Sequence, residues 1–294
     1  MWGSPSGCAG RSTPLVFEGK SRVKWTRRRP RACPTTEIQQ LKAAEKSAGF
    51  GPTGNFAHAD PRIAAYYRCY YTGKLELPGS YDGLKLREGT RHGCSLNEGK
   101  YDVFFYPIEA VASGHAPVTQ SLAQASTDRL AMVVPHEDFH DQVRRLPDPI
   151  GEAAATLIGF VTAATAFDKQ ALDADLFLRK AEIVNRYFDR LSETYQSARR
   201  GALSREAARQ EQRRLLGNLQ QECAAIEPNP ASFNKCLPAA NNAGLAFDHS
   251  YTKYYPLLYR VYVNCGKDLR CTTQKILSAP RKPEVEVARY FAAM

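Results

Sequence analysis

The sequence predicts an α+β fold that is mainly α-helical, with a small β-sheet and a helical C-terminal portion, and three observations predict it. From Asp173 to Arg199, apolar side chains recur at Leu176, Ile183, Tyr187, Leu191 and Tyr195, the spacing of one helix face. The β-formers Tyr101, Val103, Phe104, Phe105 and Tyr106, bounded by glycine and proline, read as a strand over Lys100–Tyr106. Pro135 to Asp141 reads P-H-E-D-F-H-D after the apolar run Leu130–Val134, and on a helix His136 and His140 stand one turn apart on the same face. A chain of 294 residues, 43% hydrophobic and 24% charged, can bury a sizeable core in one large domain or two small ones.

Residues 1–35 carry eight Lys/Arg against one acid and so account for most of the net charge of +10. They show no apolar periodicity and no apolar core of the length a secretory signal needs, so a disordered basic tail is expected there. The remaining charge is mixed in sign, and no nucleic-acid partner is expected. A helix is predicted over Glu37–Ser47 and another over Pro61–Tyr67, then a turn at Leu77-Pro78-Gly79-Ser80-Tyr81. The strand at Lys100–Tyr106 serves either as an edge that pairs with extended substrate or as plain sheet structure. Ser121–Leu146 reads as helical, with Pro135 expected to kink or restart it just before His136. A second helix follows from Gly151 to about Phe167. Its nearly apolar run, Ala153–Phe167, is too short and too rich in Thr, Gly and Ala to span a bilayer, so no transmembrane segment is predicted. Asp173–Arg199 ends at Gly201, and Ser204 caps a further helix to about Ala225, making an antiparallel pair. Asn241 to Tyr255 reads as one continuing helix.

The eight cysteines form no C-x-x-C pair. Cys223 with Cys236, and Cys265 with Cys271, are close enough in sequence to be local disulfides, which points to an oxidising compartment.

The H-E-x-x-H spacing carries the chemistry. His136 and His140 can bind one metal ion, with Glu152 swung back onto them from the next helix as third ligand. This donor set leaves a fourth position for water, the catalytic form of a zinc site, and Zn²⁺ is the expected cofactor. Zinc lowers the pKa of its bound water to about 7, and Glu137 can accept the proton as the water attacks a carbonyl. Tyr251, or a neutral amide at Asn241 or Asn242, is a candidate to steady the oxyanion. Asp141 or Thr156 is placed to orient a ligand histidine. His249 reads as a packing or surface residue.

The segments Leu77-Pro78-Gly79-Ser80-Tyr81, Tyr101-Asp102-Val103, His136-Glu137 with His140, Gly151-Glu152-Ala153, and Asn241-Asn242-Ala243 with Tyr251 and Pro256 resemble the bacterial predicted-aminopeptidase family of H-E-x-x-H proteins, from about Tyr66 to Ala279. The resemblance implies a gluzincin-like zinc metallopeptidase: a zincin-like H-E-x-x-H helix plus a Glu-bearing helix, with His136, His140 and Glu152 as ligands and Glu137 as general base. One domain is expected over 36–294, in which 36–167 form a catalytic core with the small sheet and 168–294 a helical portion closing over the site. The partner is then a peptide or protein substrate, with exopeptidase and endopeptidase action both open and the oligomeric state unspecified. An extracytoplasmic location, periplasmic or membrane-associated, is expected over a cytoplasmic one. The alternatives are a catalytically inactive zinc-binding protein and a helical interaction protein.

Overall fold

Helix α4, Asp148–Ala166, is buried at every position from Pro149 to Thr162, and the other elements are laid around it. A helix apolar on all sides has to be central. By length and composition α4 would also serve to cross a membrane, but 78% of its apolar window is buried inside the protein, as in a core helix. The computed structural model describes residues 35–294. The basic tail expected over residues 1–35 lies outside the described residues except for Thr35, which opens helix α1, Thr35–Ala48. Helices α3 (Thr127–Val143), α7 (Asn242–Thr252), α8 (Tyr255–Asn264) and α9 (Leu269–Leu277), together with α1, all touch α4. A single buried apolar cluster runs from Ile38 through α3 and α4 to Phe291, drawing side chains from both the 36–167 and the 168–294 portions.

A second cluster joins α5 (Leu172–Arg199) to α6 (Arg205–Ala224). It uses the periodic face at Leu176, Tyr187, Leu191 and Tyr195, and the Ser204 cap accepts from the Ala207 amide at 3.1 Å. These two helices match the sequence expectation to within a residue or so at their ends. The described residues are thus mainly helical with one small sheet, which is α+β.

The sheet has three antiparallel strands in the order β2-β1-β3: β1 is Tyr66–Gly73, β2 Lys85–Glu88 and β3 Tyr101–Ile108. Tyr70 faces Phe104 and Arg68 faces Tyr106 across the β1–β3 ladder. The face bearing Tyr70, Phe104 and Tyr106 packs on Ala243, Ala246 and Phe247 of α7. Strand β1 corrects the helix expected over Pro61–Tyr67. The local helix formers Ala64 and Ala65 are overridden because the aromatic run Tyr66–Tyr71 finds a full pairing partner in β3, and aromatic residues favour a pleated, half-buried surface.

Three further expectations are adjusted. Helix α3 runs through Pro135 without restarting. The chain breaks earlier, between α2 (Gln120–Gln124) and α3, where Ser126 caps the new helix. Helix α4 begins at Asp148 instead of Gly151, because Pro149 sits in the first turn, where no backbone donor is required. The helix read as continuous through Tyr255 is interrupted at Lys253–Tyr254, between α7 and α8.

Among the described residues, disulfides join Cys69 to Cys94, Cys223 to Cys236 and Cys265 to Cys271. The two local pairs were legible from spacing. Cys69–Cys94, 25 residues apart, depends on β1 and on the loop after β2 meeting in space.

Buried polar groups tie α5 to α7. Lys180 donates to Asp248 at 2.8 Å with both side chains 5% exposed, and it also reaches the Asn234 carbonyl at 3.1 Å. His249, one residue on, is a packing residue: its ring stacks on Phe188 at 3.6 Å between centroids, and its Nδ1–H donates to the Gly79 carbonyl at 2.8 Å. Burial pushes its pKa down from 6.5 to about 4. The imidazole is therefore neutral in the fold while the unfolded chain takes up a proton below about 6.5, so its stabilisation is complete above that pH and is lost as pH falls from 6.5 toward 4. The loss through this group is about 3 kcal/mol. Urea unfolding of wild type and His249→Asn at pH 4.5 and pH 7 should show a shallower fall in stability on acidification for the variant; equal slopes would contradict the assignment.

Candidate metal centre

Two helices position the candidate ligands. Helix α3 starts where the Ser126 side chain accepts from the Arg129 amide at 3.1 Å, and it ends at Val143. Residues 144–147 return the chain into α4, so α3 and α4 form a tight antiparallel pair. Gly159 sets how closely they pack. A Cβ there would stand 2.8 Å from the Met132 carbonyl oxygen and 3.3 Å from His136 Cβ, so only glycine admits α3 at this distance. The pairing carries Glu152 back over His136 and His140.

The three donor atoms converge. His136 Nε2 lies 3.1 Å from His140 Nε2, and Glu152 Oε2 lies 3.6 Å from the first and 3.4 Å from the second. All lie within 4.8 Å of one another, and His136 and Glu152 are each 7% exposed. Three ligands at 2.0–2.1 Å from a tetrahedral zinc stand about 3.3–3.4 Å apart, a value that the three separations bracket. Glu152 Oε2 is buried and accepts no hydrogen bond, as is also true of His136 Nδ1. A buried carboxylate oxygen without a donor is costly unless something positive completes it. The donor set, its spacing and the orphaned oxygen fit a metal ion.

Electrostatics divide the ionisable groups. Burial alone would raise the Glu152 carboxyl, but His140 and His136 override it and hold it well below the usual carboxylate range. Burial likewise disfavours charge on His140, yet Glu152 holds it above its ordinary value. His136 is pushed down by burial, with the positive fields of His140 and Arg129 adding to this. Burial pushes Glu137 up to about 7, against the pull of His140 and of the Ala112 backbone amide. A carboxylate that exchanges its proton near neutrality is suited to proton transfer.

An aromatic wall closes one side. Tyr251 of α7 lies 6.2 Å from His136, 6.5 Å from Tyr81 and 5.3 Å from Phe247 between ring centroids, and burial raises its pKa. The Tyr81 hydroxyl donates to Glu152 Oε1 at 2.9 Å. Sequence reasoning missed this contact and had for a signal only a tyrosine at the end of a turn. It also missed the anchor beneath α3. There Asp138, fully buried, accepts from Thr53 at 2.5 Å, from Asn55 at 3.1 Å and from Lys42, fixing the helix between the two histidines to α1 and the loop after it.

Four candidates are not delivered to the cluster in the expected roles. Asn241 caps α7, accepting from the Gly244 amide at 3.0 Å, and donates to the Val103 carbonyl at 2.9 Å. That contact also occupies part of the outer edge of β3. Asn242 is fully buried among Tyr195, Gln212 and the Lys74 carbonyl. Both amides are thus committed to structure. Asp141 is engaged by Asn55 at 2.8 Å and Arg144 at 2.6 Å, and Thr156 Oγ1 has no hydrogen-bond partner, so neither orients a histidine.

A family model described as "Putative aminopeptidase" matches residues 87–289, an interval that begins at Arg87 and holds α3, α4 and α7. No curated protein and no solved structure matches the chain.

Gly159→Ala should destabilise the protein by about 1–3 kcal/mol, since the obstructing atom is a backbone carbonyl that cannot turn aside. Denaturant unfolding checks it; wild-type stability in the variant would show that the helices do not need this approach.

Proposed function

The chain belongs to the family described as putative aminopeptidase, and from that premise we propose that it is a gluzincin-like zinc metallopeptidase that hydrolyses peptide bonds. The observation that carries the reading is the buried convergence of His136, His140 and Glu152, with Glu152 Oε2 left without a hydrogen-bond donor. A zinc ion held by these three residues would supply Lewis acidity, giving a water nucleophile of lowered pKa and a polarised scissile carbonyl. Glu137, follows His136 on the same helix and takes the proton of the attacking water, then hands it to the leaving amine. Burial raises the Glu137 carboxyl above its ordinary value, which makes it a better proton acceptor. Tyr251 faces the cluster from α7 and steadies the oxyanion, a role worth a few kcal/mol where the donor is in place beforehand. The aromatic wall around Tyr81, Tyr251 and Phe247 keeps bulk water from the reacting atoms.

The substrate is a peptide or protein. The three disulfides among the described residues support an extracytoplasmic location, where such bonds persist.

Elemental mass spectrometry of purified protein offered zinc should find about one zinc per chain, lost or sharply reduced in His136→Ala and Glu152→Gln. Glu137→Gln should retain the metal while peptide hydrolysis falls roughly 10²–10⁴-fold. Full hydrolysis by Glu137→Gln would remove Glu137 from the mechanism. Bound metal with no turnover on any peptide library would favour a catalytically inactive zinc-binding protein.

A further inference from the structure

We propose that Tyr81 is a positioning residue for the third ligand: its hydroxyl occupies Glu152 Oε1 so that Oε2 alone faces the two histidines, and helix α7 holds Tyr81 at that task. The inference rests on the zinc reading above and extends it to a residue outside α3 and α4.

A carboxylate on a helix can rotate and offer a metal either one oxygen or both. With both engaged it would fill the position a water needs. The Tyr81 hydroxyl donates to Oε1 at 2.9 Å, whereas Oε2, 3.4–3.6 Å from the two imidazoles, accepts nothing. The two oxygens of one side chain are thus given different work. Groups hydrogen-bonded to a metal ligand in this way set its orientation, and losing them typically weakens metal binding 10–100-fold.

Tyr81 does not reach Glu152 by chance of local geometry, because its turn is clamped at two points. The Tyr81 amide donates to Ser250 Oγ at 2.7 Å, and His249 Nδ1–H donates to the Gly79 carbonyl at 2.8 Å. Both clamps come from consecutive residues of α7, and both are buried, Ser250 at 1% exposure and His249 at 5%. The Tyr81 ring is further packed on Tyr70, Phe247 and Tyr251. A chain of contacts therefore runs from α7, through the Gly79–Tyr81 turn, to the carboxylate on α4.

The test is the zinc dissociation constant, measured by competition with a chromophoric chelator, for wild type, Tyr81→Phe, Ser250→Ala and the double variant, with Tm recorded for each. Phenylalanine keeps the ring packing and removes only the donor. Tyr81→Phe should stay folded, with a Tm lowered only by the lost donor to Glu152 Oε1, and should bind zinc 10–100-fold more weakly. Ser250→Ala should give a smaller loss that disappears in the Tyr81→Phe background, since the clamp acts through the hydroxyl. A dissociation constant for Tyr81→Phe within twofold of wild type would overturn the proposal and leave the zinc site standing. A Ser250→Ala loss that persists undiminished in the double variant would overturn the clamp. Wild type that binds no zinc would overturn both this inference and the function it rests on.

Discussion

The close approach of α3 to α4 at Gly159 is the constraint on which the rest of the structure depends. His136 sits on one helix and Glu152 on the other, and their separation is set by backbone meeting backbone where a side chain would stand 2.8 Å from a carbonyl oxygen. A link of only residues 144–147 keeps the pair antiparallel and adjacent. The burial of α4 on all sides then prevents it from sliding, because every alternative register would expose apolar surface. On the far side of α3, Lys42, Thr53 and Asn55 grip Asp138, so the helix is held from below as well as above.

Such rigidity forces a solution to the burial of charge. A carboxylate removed from water is unfavourable until compensated. Glu152 Oε1 accepts from one phenol, while Oε2 faces two imidazoles at 3.4–3.6 Å without accepting a hydrogen bond. Glu137 lacks an equivalent set and rises to about 7. Two carboxylates on the paired helices α3 and α4 thereby come to differ in acidity through their surroundings alone.

Comparison of sequence and structure shows where local pattern suffices. The pair α5 and α6 was legible because apolar periodicity, a serine cap and a terminating glycine all act within a few residues of one another. The disulfides Cys223–Cys236 and Cys265–Cys271 were legible for the same reason. Strand β1 was not: Pro61 to Tyr67 resembles a helix until β3, some 35 residues on, offers a partner to the aromatic run. Asn241 and Asn242 were attractive as oxyanion donors because neutral amides suit that task, yet Asn241 is used as a cap and Asn242 as a buried bridge, roles defined by β3, α5 and α6.

By itself the sequence determined which residues could gather around a metal: the spacing of His136 and His140 is a property of one helix turn, and the placement of Glu152 after a proline-containing break is a property of one helix hairpin. It determined the mainly helical character for the same reason, since periodicity of 3.6 residues is written locally. Tertiary structure alone decided that Tyr81 meets Glu152, that α7 supplies Tyr251 and clamps the turn, and that Asp138 becomes an anchor. Those outcomes join residues 71 to 169 positions apart for the Tyr81 contacts, and the energy that selects them comes from burying whole faces together, which no short window of sequence contains.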